Sequence, residues 1–130
     1  MRVLITGAGG FIGSHLVDSH LAQGNDVRAV DLHLDLLKHQ AGHPCLQALR
    51  GDITEKDIVQ KIVEGVDIIY HLASAHLDVS LSDEHYHRVN VDATLSLLEA
   101  ARQAGVKRFV HCSSVGVIGD VEHQIGRAHV

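Results

Sequence analysis

Val3-Leu4-Ile5-Thr6-Gly7-Ala8-Gly9-Gly10-Phe11-Ile12-Gly13 decides the reading of this chain. An apolar run of β-branched and aliphatic residues leads straight into glycines and then into a helical pattern. That predicts a strand, a tight turn and a helix N-terminus. Gly7, Gly10 and Gly13 give a G-x-x-G-x-x-G spacing, whereas a G-x-G-x-x-G from Gly7 would need glycine where Ile12 stands. Gly7 permits the sharp turn, and Gly10 removes a Cβ where a pyrophosphate would approach. Gly13 allows close packing of helix on strand. Unpaired N–H groups and the positive helix end then face the phosphates. Three glycines can also make a plain loop. The strand before, the helix after and Asp31 at the expected distance place dinucleotide binding above that reading.

Outward from this turn, strand and helix alternate. Phe11 to Gln23 is the first helix, with Ile12, Leu16 and Leu21 inward and Gly24 as its stop. Asp26 to Asp31 is the second strand. Asp31 lies eighteen residues after Gly13, where a carboxylate accepts from ribose hydroxyls and repels a 2′-phosphate. Leu32 and His33 supply no arginine for that phosphate, which favours NAD over NADP.

Leu32 to Gln40 reads as a short helix and Leu46 to Arg50 as the third strand. Thr54, with Asp57 three residues on, caps a helix that ends near Gly65. Val66 to Ala73 is the fourth strand. Ser82 caps a long helix to Ala104, its stripe of Val89, Ala93, Leu97 and Ala101 packing on the sheet. Lys107 to Ser113 is the fifth strand. Right-handed crossovers make this an α/β, Rossmann-type, doubly wound parallel sheet of order 3-2-1-4-5, with its crevice between the first and fourth strands. No sixth strand follows, so the fold reads as truncated before it.

The 130 residues fit one domain, with 45% hydrophobic and 3% aromatic residues. A net charge of −5 without any basic run argues against nucleic-acid or anionic-membrane partners. Cys45 and Cys112, far apart, suit a reducing cytosol. No signal peptide or bilayer-length apolar run is seen, so a cytoplasmic location is expected. Of twelve histidines, His33, His39, His43, His85, His87 and His123 fall in polar segments and read as surface residues. His15 and His20 do not share a helix face, and no Cys/His ligand spacing occurs, so no metal is expected.

Thr6-Gly-x-x-Gly-Phe-Ile-Gly13 resembles the opening of the extended short-chain dehydrogenase/reductases, the NAD-dependent epimerase/dehydratase group. Classical members of that superfamily would need glycine where Phe11 stands. The resemblance runs from Met1 to about Gly119 and recurs at separate motifs. It implies NAD as cofactor, with Gly7, Gly10, Phe11, Ile12 and Gly13 at the phosphates and Asp31 at the ribose. Asp52-Ile53 resembles the turn whose side chains contact the adenine. Tyr70-His71-Leu72-Ala73-Ser74 is similar to the family's H-L-A-A, where small residues let the cofactor lie on the backbone of Leu72, Ala73 and Ser74. His71 itself reads as a buried, hydrogen-bonded core histidine.

Arg88-Val-Asn-Val-Asp-Ala-Thr94 resembles N-V-x-G-T, which turns Asn90 toward the crevice, with Ala93 in place of the family glycine. Phe109 to Gly119 resembles S-S-x-x-V-Y-G, which puts the active-site hydroxyl on Ser114, hydrogen-bonded to the substrate oxygen. Ile118 stands where tyrosine is usual. The family's Tyr-x-x-x-Lys pair is absent, since neither Tyr70 nor Tyr86 has a lysine four residues on. The expected parent is therefore an enzyme of which this is the NAD-binding part, inactive alone. The resemblance implies a small-molecule substrate, a nucleotide-sugar first and a hydroxysteroid-type alcohol second. A non-catalytic NAD(P)-sensing regulator is the reading from another class. It also implies a homodimer of the parent through helix 82–104. Ile125-Gly-Arg-Ala-His-Val130 is what the sequencing-adapter string ATC GGA AGA GCA CAC GTC would encode, so the domain is read as 1–124 and 125–130 as a non-native tail.

Overall fold

The structure, a computed structural model, describes residues 1–74 and 82–112. Its strands are β1 (Arg2–Thr6), β2 (Asp26–Asp31), β3 (Leu46–Arg50), β4 (Ile68–His71) and β5 (Arg108–His111). They form one sheet of order β3-β2-β1-β4-β5, with every pairing parallel. This is the Rossmann-type order that the alternation predicts. β1 sits in the middle because Val3, Leu4 and Ile5 are apolar on both faces, and all three are fully buried. Val3 and Ile5 pack with Val17, Leu21, Val27, Ala29 and Leu37 on one side. Leu4 packs with Val30, Ile62, Ile69 and Leu97 on the other.

The helices are α1 (Phe11–Ala22), α2 (Lys56–Ile62), α3 (Asp83–His87) and α4 (Ala93–Ala104). In α1 the buried residues are Gly13, Ser14, Val17, His20 and Leu21, whereas Ile12 is 62% exposed. The expectation that Ile12 faces inward is corrected. A Cβ on Gly13 would overlap the Gly7 carbonyl, so the helix rests on its own turn at Gly13. The stripe that begins there turns Ile12 outward.

The expected helix from Leu32 is a shorter 3₁₀ turn, Asp35–Gln40, held by buried Leu37. Thr54 does not cap α2; Glu55 occupies that position. Both the amide and the hydroxyl of Thr54 donate to Asp52 Oδ1, at 2.9 and 2.7 Å, which commits the hydroxyl to the preceding turn. Ser82 does cap α3, its Oγ accepting from the His85 N–H at 3.1 Å.

The single helix expected over 82–104 is interrupted. Arg88–Asp92 forms a π-helical turn in which the Ala93 N–H reaches back five residues to the Arg88 carbonyl. Beyond it, Ala93, Leu97 and Ala101 are buried as the stripe predicts, and Gly105 ends α4 at φ +76°.

Candidate dinucleotide site

At the carboxyl end of β1 the chain turns through Gly7, at φ +68°. A Cβ there would lie 2.6 Å from the Ala73 nitrogen and 2.7 Å from the Leu72 carbonyl carbon. Glycine is thus needed for backbone angle and for space, because the loop after β4 crosses directly beside it. The Gly10 N–H donates to the Gly7 carbonyl at 3.1 Å and closes the turn. Gly10 is the N-cap of α1 and no side chain caps the helix. The first-turn amides of Phe11, Ile12 and Gly13 therefore have no intrahelical acceptor and carry the positive end of the helix dipole. A Cβ on Gly10 would meet nothing nearer than 3.4 Å, so that glycine leaves open space for a ligand. Phe11 is 73% exposed beside this space.

Asp31 ends β2, and its carboxylate is held by backbone. Oδ2 accepts from the Gly9 N–H at 2.9 Å, and Oδ1 accepts from the Leu32 N–H at 2.7 Å. The remaining lone pairs are free of these two amides and suit hydroxyl donors. Gly9 has a role that the three-residue spacing does not indicate. A Cβ on it would overlap the His33 carbonyl oxygen. The signal was a fourth glycine in the same turn, off the counted period.

Asp52 is half-buried and forms the turn with Thr54 described above. Ile53 is 7% exposed and belongs to the core beside Leu4 and Val30. Its side chain is thereby spoken for, which leaves only its backbone for a ligand. Leu72 and Ala73 are half-buried and adjoin Gly7 across the β1–β4 boundary, and Ser74 after them is exposed. Asn90 is exposed within the π-helical turn. Ser114 lies outside the described residues.

Beneath this surface His71 is 1% exposed, the core histidine that the sequence indicates. Nδ1 lies 2.7 Å from Thr6 Oγ1, and Nε2 lies 2.8 Å from Thr94 Oγ1. Thr6 Oγ1 also accepts from the Leu72 and Ala73 amides, each at 3.2 Å. Thr94 Oγ1 donates to the Asn90 carbonyl at 3.1 Å. Burial, with nearby His111 adding, pushes the His71 pKa down to about 4. Thr6 and Thr94 both fall in quoted motifs, but their pairing with His71, 65 and 23 residues away, has no local signature.

Among the described residues no helix is long and apolar enough to cross a membrane. The profile of the NAD dependent epimerase/dehydratase family matches residues 3–129. The chain is 43% identical over 124 residues to a 3 beta-hydroxysteroid dehydrogenase/Delta 5→4-isomerase of Mycobacterium tuberculosis, covering 90% of this chain and 32% of that protein. It is 38% identical to a dTDP-glucose 4,6-dehydratase of Streptomyces griseus, covering 94% of this chain and 40% of the relative. Among solved structures, a double mutant of the dTDP-glucose 4,6-dehydratase DesIV of Streptomyces venezuelae, with NAD bound, superposes with a TM-score of 0.84 at 34% identity. That match covers 94% of this chain and 42% of the other. The chain thus spans about a third of the length of the first curated relatives it matches. Glycine turn, strand order and sequence agree: this chain belongs to the NAD dependent epimerase/dehydratase family.

Proposed function

We propose that this chain binds NAD in the crevice between β1 and β4 and forms the cofactor half of a hydride-transferring enzyme. One observation carries the reading. The uncapped α1 terminus, open at Gly10, stands next to a carboxylate that Gly9 and Leu32 hold in place. The first suits a pyrophosphate and the second a ribose diol, while the same carboxylate would repel a 2′-phosphate. The solved relative with NAD bound supports this choice. Bound NAD would accept or return hydride at its nicotinamide C4, as the substrate carbon passes between alcohol and ketone.

In this reading Gly7, Gly10, Phe11, Ile12 and Gly13 face the phosphates, and Asp52 and the Ile53 backbone the adenine. Leu72, Ala73 and Ser74 line the cofactor, with Asn90 at the crevice. Ser114 holds the reacting substrate oxygen, and a Tyr-x-x-x-Lys pair of the parent supplies the proton transfer. A nucleotide-sugar is the substrate class that the dehydratase relative supports. A hydroxysteroid-type alcohol is the second reading, favoured by the 43% identity to the mycobacterial dehydrogenase/isomerase. The parent is proposed to pair through α4, where Leu95 and Leu98 are 60% and 40% exposed.

Isothermal titration of the chain with NAD and NADP tests the cofactor reading. NAD is expected to bind and NADP to bind markedly more weakly, and Asp31→Ala is expected to narrow that difference. A folded chain that takes up neither, or prefers NADP, overturns it.

A further inference from the structure

We infer that His71 is a positioning residue that holds the cofactor-side loop Leu72–Ala73 and the π-helical turn at Asn90 in one fixed arrangement, as the neutral imidazole protonated at Nε2. The inference rests on the NAD reading above for its consequence, but not for its geometry. Hydrogen counting assigns the proton. Thr6 Oγ1 receives the Ala73 amide and a share of the Leu72 amide at 3.2 Å each, the Leu72 N–H also reaching the Thr6 carbonyl, so its own hydrogen points to His71 Nδ1, 2.7 Å away. At the other side the Thr94 hydroxyl donates to the Asn90 carbonyl. It therefore accepts from His71 Nε2–H across 2.8 Å.

The opposite tautomer would add the imidazole N–H to the amides already at Thr6 Oγ1 and turn the Thr6 hydroxyl hydrogen away from Nδ1 in a fully buried place. The chain of bonds runs from the amides of Leu72 and Ala73 through Thr6, His71 and Thr94 to the Asn90 carbonyl. It links the two segments that flank the crevice at β4 and at the α3–α4 boundary. The links from Thr94 through His71 to Thr6 are directional, so a change at Thr94 is expected to be felt at Ala73.

Side-chain nitrogen NMR of the 15N-histidine-labelled chain tests this, with the His71 signal assigned by its loss in His71→Gln. The expected pattern is a protonated Nε2 and a bare Nδ1; a proton on Nδ1 overturns the assignment. Thr94→Val keeps the shape and removes the acceptor. It is expected to shift the Leu72 and Ala73 amide resonances and weaken NAD binding about fivefold, with both effects reversed in Thr94→Ser. Unmoved amides or unchanged affinity in Thr94→Val overturn the positioning role. A wild-type chain that binds no NAD overturns the functional reading instead, while the tautomer and the amide response still decide the geometry.

Discussion

The Gly9 N–H donates to Oδ2 of Asp31 across 2.9 Å, and nothing larger than hydrogen fits at the Gly9 α-carbon. The carbonyl of His33 occupies the space that a methyl group would need. One residue of the glycine turn thus fixes the direction of a carboxylate at the end of the neighbouring strand.

Gly9→Ala is therefore expected to push the 31–33 segment away and to weaken NAD binding about tenfold, roughly 1.4 kcal/mol. Titration calorimetry reads the affinity, and circular dichroism confirms that the variant folds. Affinity equal to wild type would show that the Gly9–Asp31 contact has no bearing on the ligand.

Glycines at positive φ separate by their surroundings. Gly24 and Gly105 have φ of +81° and +76° with nothing within 4 Å of an added Cβ. Alanine at either is expected to cost about 1–2 kcal/mol, the left-handed penalty alone. Gly7→Ala adds a collision with the Leu72–Ala73 backbone, so its loss should clearly exceed the other two in urea unfolding. Equal costs at all three would remove the argument that β1 and β4 loops are in contact there.

The pH dependence follows from His71. Its pKa falls from the ordinary 6.5 to about 4 in the folded chain, so the unfolded state binds more protons between those values. The contribution is fully present above pH 6.5 and is lost as the pH falls through about 4. It amounts to at most about 3 kcal/mol. Urea midpoints followed from neutral to acid pH should fall more steeply in wild type than in His71→Gln. Parallel slopes would mean that His71 is not held neutral.

On α4 of the full-length parent, Leu95→Glu is expected to convert a dimer to a monomer in light scattering, because the exposed Leu95 and Leu98 would no longer meet an apolar partner face. A wild-type monomer would dismiss pairing through this helix.

The sheet order was legible because β1 and β4 carry short apolar cores, Val3-Leu4-Ile5 and Ile68-Ile69, and strand and helix patterns alternate between them. The tight turn was legible in Gly7, Gly10 and Gly13 and the strand-end carboxylate in Asp31, where spacing encodes geometry. Contacts between distant residues were not. Gly9 against His33 and Thr94 against His71 depend on how the loops meet across the sheet. Ile12 and Thr54 were misassigned for a related reason: local pattern allows each role, and a neighbour (Gly13 resting on the turn, Asp52 claiming the hydroxyl) removes it. The break in helix 82–104 was not legible; it goes with Thr94, whose hydroxyl donates to the Asn90 carbonyl.

That break has an arithmetic consequence. A π-helical turn holds one residue more than the α-helical turn it replaces, and each residue of an α-helix accounts for about 100° of rotation and 1.5 Å of rise. Deleting one residue from Arg88–Asp92 would let the segment relax to ordinary α-helix with its ladder intact. Because the turn is then completed with one residue fewer, the same deletion would leave α3 and α4 in nearly the same relative orientation. The single surplus amino acid thus displaces by one residue the sequence period that puts positions of α3 on the same face as positions of α4.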